Sequence, residues 1–200
     1  MKRNICFSVL AALVLVSCLF AGCTSSPKVP TQNVLFEEDA DAWVRYCTND
    51  KYQYGRRKQL IFDNANSDPN VYEMDIKRIS GFENMSAGMA FGAVDDNNYY
   101  SVTVSATGNF IVRKISGTTS ELVRKDNYPS VNKGYNVVNT LKVVKNGNHY
   151  DVFVNNNTTA DYTVTDTSIK GSKIGYYLII GDSGYEKFPD IPVEVYFKVK

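Results

Sequence analysis

The chain reads as an all-β protein, two packed antiparallel sheets in a single domain. Three observations predict this. Apolar residues recur with period two, glycine and asparagine turn signals fall every 8 to 12 residues, and no stretch carries a sustained 3.6-residue apolar stripe.

The elements follow in order. Residues 1–22 have the build of an export signal: Lys2 and Arg3 form a charged start, and "ICFSVLAALVLVSCLF" is an apolar core short for a membrane span. "TSSPKVPTQN" (24–33) lacks hydrophobic periodicity, carries two prolines and reads as a tether. Residues 34–200 then form the folded domain, long enough for a sizeable core. In "VYEMDIKRI", Tyr72, Met74 and Ile76 share one face of a strand, opposite Glu73, Asp75 and Lys77. "GMAFGAVDDNNYYSVTVS" is expected to be a hairpin turning at Asp95, Asp96, Asn97 and Asn98, residue types that bond their own backbone in turns. "ATGN" (106–109) turns the chain into "FIVRKI", and Asn146-Gly147 turns "LKVVK" into "HYDVFV". In the closing run "VEVYFKVK", Val193, Val195, Phe197 and Val199 are expected to face the core. Trp43, in an apolar run, is also assigned to the core.

Charge and cysteine usage exclude several functions. With 22 basic and 21 acidic residues, loss of Lys2 and Arg3 on processing leaves a net charge of −1, with no pull toward nucleic acid. Of four cysteines, Cys6 and Cys18 lie in the signal, and Cys47 in "AWVRYCT" reads as a buried strand thiol, so no disulfide framework is expected. The single histidine, His149, excludes a His-rich metal site, and no Gly-rich phosphate loop is present. Calcium takes six to eight oxygens, more than Asp95–Asn98 offers. No metal and no cofactor are expected.

Two resemblances add to this reading. "LFAGC" at the end of the apolar core resembles the bacterial lipobox, with Phe20 where leucine is usual. It implies a lipoprotein signal peptide over 1–22, a lipidated N-terminus at Cys23 and attachment to the cell membrane or outer membrane. From residue 34 onward, the order "LFEED" to Trp43, "YEMDIKRISG", the "DDNNYY" hairpin, "FIVRKISG", "NTLKVVKNGNHYDVFVNN", "SKIGYYLIIGD" and "VEVYFKVK" resembles the concanavalin A-like or laminin G-like jelly roll. That fold carries lectins, glycoside hydrolases and adhesion modules alike.

The candidate site residues follow from both lines of reasoning. Hydrolases of the family-16 type carry E-x-D-x-x-E on a strand, and Glu73 and Asp75 in "EMDIKR" match the first two positions. The third is Arg78, which stays protonated and supplies no acid/base. Fourteen tyrosines, several paired (Tyr52/Tyr54, Tyr99/Tyr100, Tyr176/Tyr177), suit stacking on sugar faces beside Asn and Asp. Strand parity sends Tyr100 inward with Val102 and Val104, and Tyr99 outward. The expectation is a non-catalytic, lipid-anchored binding or adhesion module of the cell envelope for a glycan or other host or envelope surface ligand. Tyr99, Asp95, Asp96, Asn97, Glu73 and Asp75 are its ligand-binding candidates. A glycoside hydrolase using Glu73 and Asp75, or a purely structural envelope protein, are the alternatives.

Overall fold

A computed structural model describes residues 34–50, 56–166, 168–180 and 192–200. The expected signal, Cys23 and the 23–33 tether lie outside the described residues, as do Tyr52 and Tyr54. Thirteen strands and no helix form among the described residues: β1 (Val34–Glu38), β2 (Val44–Thr48), β3 (Arg57–Phe62), β4 (Val71–Ser80), β5 (Ser86–Asp95), β6 (Asn98–Ser105), β7 (Phe110–Ser116), β8 (Thr118–Lys125), β9 (Val138–Asn146), β10 (His149–Val154), β11 (Tyr162–Val164), β12 (Lys173–Ile179) and β13 (Val193–Val199).

They assemble into a seven-stranded sheet, β1-β2-β13-β4-β9-β10-β11, and a six-stranded sheet, β3-β12-β5-β6-β7-β8, antiparallel throughout. Alternation decides which side chains meet between them. Tyr72, Met74 and Ile76 of β4 and Val195 and Phe197 of β13 face Met89 and Phe91 of β5 and Val102 of β6, all buried. The closing run behaves as its alternation requires: Val193, Val195 and Phe197 are fully buried, and Val199 packs against the core. β13 is an inner strand, bonded to β2 on one side and β4 on the other.

The turns place the hairpins where the residue types call for them, with one shift. Asp96 and Asn97 form the two-residue turn between β5 and β6, with Asp95 opposite Asn98. Between β9 and β10 the turn residues are Gly147 and Asn148, and Gly147 supplies the positive φ of 59°. The Asn146-Gly147 pair therefore straddles the strand end instead of forming the turn.

Trp43 departs from its expected place. Val44 and Tyr46 turn inward from β2, so Trp43 and Arg45 point out, and Trp43 is half-exposed. Its ring is flanked by the ammonium groups of Lys77 at 4.9 Å and Lys198 at 5.9 Å, a cation–π arrangement on the outer surface of the seven-stranded sheet. Cys47 is buried and free, as expected for a strand thiol.

Candidate functional site

The residues expected to form one site are divided among three places. Glu73 and Asp75 lie on the outer face of the seven-stranded sheet, where Lys200 Nζ stands 2.9 Å from Asp75 and 3.7 Å from Glu73. The Thr140 hydroxyl donates a further 2.5 Å bond to Asp75. Both carboxylates are thus held in a cross-strand ion-pair cluster. Arg78 lies on the opposite face of β4, because three residues on a strand reverse parity. Its side chain is buried (4% exposed), donates to the carbonyls of Phe82 and Glu83 at 2.6 and 3.4 Å, and stacks 5.5 Å from the Tyr135 ring. Burial pulls its pKa down to about 10, against the opposing pull of Tyr135 and Glu83. The strand carrying "EMDIKR" therefore presents no third catalytic position beside Glu73 and Asp75.

Asp95, Asp96 and Asn97 occupy the β5–β6 turn. The Asp95 carboxylate accepts bonds from the backbone of Asn97 at 2.8 Å and the amide of Asn98 at 2.9 Å, which lower its pKa. Its oxygens close the turn on itself, the Asx arrangement these residues favour. The Asp96 carbonyl accepts from Gln59 at 3.1 Å, tying the turn to β3. Among the described residues, no three or more His, Cys, Asp or Glu side chains gather to hold a metal ion.

Tyr99 and Tyr100 split across β6 as parity requires. Tyr100 enters the main core, its ring 5.7 Å from those of Phe91 and Tyr150. Tyr99 faces the other way, yet it is fully buried, contrary to its expected solvent exposure. The reason is a second apolar cluster on the outer face of the six-stranded sheet, made by Ala90, Ala93, Tyr99, Ile115 and Tyr177, with Ile61 and Ile179 packed against it. Tyr177 pairs with Gly88 of β5, and Gly88 with Thr103 of β6. The outward positions of β5 are thus small, Gly88 and Ala90, and leave a low floor over which the two tyrosine rings meet.

Polar groups lie on the same face. Ser101 and Thr103 alternate with Val102 and Val104 along β6 and are buried on the outer side. Arg113, opposite Ser101 on β7, is 9% exposed, donates to Thr103 Oγ1 at 3.2 Å and stands 3.7 Å from Glu121. Burial lowers its pKa. The Arg57 guanidinium lies 5.7 Å from the Tyr99 ring. The hydroxyls of Tyr99, Ser101 and Tyr177 are completely buried with no hydrogen-bond partner among the described residues. Burial raises the pKa of Tyr177, while Arg113, Arg57 and Ser101 ease it back. Ser101 is near enough for that effect, but neither hydroxyl completes a bond of ordinary geometry. An unpartnered buried hydroxyl costs about 1–3 kcal/mol, and native proteins hold few without water or a ligand to answer them. Three on one face is a high concentration for a native fold.

No protein-family model and no curated protein sequence matches this chain. Solved structures do. Carbohydrate-binding module CBM66 from Bacillus subtilis superposes with a TM-score of 0.58 at 13% identity, covering 84% of this chain and 89% of the module. A functionally unknown protein from Saccharomyces cerevisiae superposes with a TM-score of 0.50 at 10% identity, covering 86% of this chain and 91% of that one. The fold is a jelly-roll sandwich. At these identities the likeness speaks for architecture alone.

Of the residues on this outer face, sequence reasoning named Tyr99 and missed Ser101, Arg113 and Arg57. Tyr177 was noted only as half of a pair. The signal for Ser101 and Thr103 was present in "YYSVTVS", where polar residues alternate with valines. Arg57 sat in "YGRRK", which reads as an unremarkable basic loop until β3 is placed at the sheet edge.

Proposed function

We propose that this protein is a lipid-anchored lipoprotein of the cell envelope whose jelly-roll domain binds carbohydrate without catalysing its breakdown. The contact surface is the outer face of the six-stranded sheet. One observation carries this reading: the outer face of this sheet holds the Tyr99, Ser101 and Tyr177 hydroxyls, all buried and unpartnered, with Arg113 on the neighbouring strand. Sugar rings offer apolar C–H faces to aromatic side chains and hydroxyls to polar ones, and this face carries both kinds of group. The resemblance in fold to a carbohydrate-binding module agrees with it. The N-terminal "LFAGC" supports anchoring through Cys23. The non-catalytic part rests on Glu73 and Asp75, which are held by Lys200 and Thr140, and on Arg78 at the opposite face of their strand.

A glycan array probed with the detergent-solubilised full chain tests the reading. Binding to a defined set of glycans that is lost in Tyr177→Phe and Ser101→Ala, but kept in Glu73→Gln, is the expected result. Turnover of a bound polysaccharide that disappears in Glu73→Gln would overturn it and promote the hydrolase.

A further inference from the structure

At the end of the sandwich where β9 turns into β10 lies a cavity of about 170 Å³, lined by Lys145, Gly147, Asn148, Tyr150, Ile169 and Lys170. Lys145 pairs directly with Tyr150 across the hairpin, so both project to the inner side of the seven-stranded sheet. A lysine at an inner position is unusual for a strand whose preceding inward residues, Leu141 and Val143, are fully buried core. Its ammonium group stands 6.0 Å from the Tyr150 ring centre.

Tyr150 is only 1% exposed, and its ring packs against Phe91 at 5.3 Å and Tyr100 at 5.7 Å. Its hydroxyl lies over Gly92, where a Cβ would come within 2.7 Å of the oxygen. Unlike Tyr100, whose oxygen accepts a 3.3 Å bond from the Ile169 backbone, the Tyr150 oxygen makes no hydrogen bond to the described residues and is not among the fully buried unpartnered atoms, so it is open to the cavity. Burial raises the Tyr150 pKa, so at neutral pH the phenol is a hydrogen donor. The cavity thus offers two ammonium groups, a phenol and the Asn148 amide, with no carboxylate in its lining. A phenol that opens into a cavity flanked by two lysines and an amide is suited to an acceptor carrying negative charge.

We propose that this cavity is a binding site for a small oxyanion, a carboxylate or phosphate group, held by Lys145, Lys170 and Tyr150. The volume exceeds the roughly 30 Å³ that one water occupies in the liquid, and it leaves room for such a group with part of the molecule that bears it. The site lies at the β9–β10 end of the sandwich, is built from other residues than the Tyr99–Tyr177 face, and does not depend on the glycan reading.

The test is titration of the detergent-solubilised full chain with inorganic phosphate, glucuronate and glucose, followed by calorimetry, at constant ionic strength. Phosphate or glucuronate should bind in a way that the double lysine variant below loses, whereas any glucose binding should be unaffected by it. Phosphate alone would identify a free ion as the natural source, and glucuronate a terminal sugar acid. Charge-assisted hydrogen bonds are worth about 1.5–3 kcal/mol, so Lys145→Met with Lys170→Met should weaken the dissociation constant about tenfold or more. Tyr150→Phe keeps the ring packing and should weaken it by a smaller factor. Both variants retain apolar stems, and an unchanged thermal midpoint without ligand establishes that they fold. No binding by either anion, or undiminished anion binding in the double lysine variant, would overturn the proposal.

Discussion

Tyr99 and Tyr177 meet edge to face, ring centres 5.8 Å apart and planes at 69°, although the strand β5 runs between theirs. The contact exists because β5 presents only Gly88 and Ala90 beneath them. It buries two phenol oxygens together and answers neither, so stability and binding are set against each other there.

Removing one of these hydroxyls separates the two quantities. Tyr177→Phe deletes a fully buried, unpartnered hydroxyl while keeping the ring contact. The folded state should be unchanged or more stable by about 1–3 kcal/mol in urea melts. Glycan binding should weaken in the same variant. A destabilised Tyr177→Phe protein would mean the hydroxyl is satisfied in the fold.

The closing strand gives a sharper test of architecture. β13 joins β2 to β4, so ending the chain at Pro192 detaches β1 and β2 from the rest of their sheet. It also removes Val193, Val195 and Phe197, all fully buried and each worth about 1.5–3 kcal/mol. Set against total stabilities of about 5–15 kcal/mol, this truncation should abolish cooperative thermal unfolding. Differential scanning calorimetry reads the outcome directly.

Alkaline pH should destabilise the domain before it affects the peptide chain. Burial pushes Tyr72 and Tyr176 up to about 12, above the ordinary tyrosine value of 10. Between pH 10 and 12 the unfolded chain releases protons that the native state retains, so stability falls as pH rises. Each contributes about 2–3 kcal/mol by pH 12. Urea midpoints measured from pH 8 to 11.5 should decline above pH 10.

On the other side of the molecule, Glu73→Gln should change little. The carboxylate shares Lys200 with Asp75 at a partly exposed position, where such a pair is worth up to about 1 kcal/mol. Binding isotherms for any glycan captured by the parent protein should superimpose on those of the variant.

Anchoring is tested at Cys23. Replacing it with alanine should release the protein from washed membranes and abolish metabolic labelling with a palmitate analogue. Label that persists in Cys23→Ala would sink the lipobox reading.

Local rules made much of this protein legible from its residues. Period-two alternation identified the faces of β4, β6 and β13, and the short polar turns marked their joins, because side-chain direction on a strand depends only on position. Hence Tyr100, Val195 and Phe197 were assigned to the core from sequence, and Asp95–Asn98 to a turn. Parity says which way a side chain points, but not what it meets. Trp43 was placed in the core by its apolar company, yet it stands on the surface between Lys77 and Lys198, which reach it from β4 and β13. Glu73 and Tyr99 were grouped by their chemistry, yet strand order places them on opposite outer faces of the sandwich. Tyr177, Ser101 and Arg113 come together only because β12, β5, β6 and β7 lie side by side, a pairing of residues up to 76 positions apart in the 200-residue chain. Sequence by itself determined the strands and their faces, since these are properties of neighbouring residues. Tertiary structure alone decided which hydroxyls are buried without partners, because that depends on long-range strand pairing and on the small residues that let distant rings close over them.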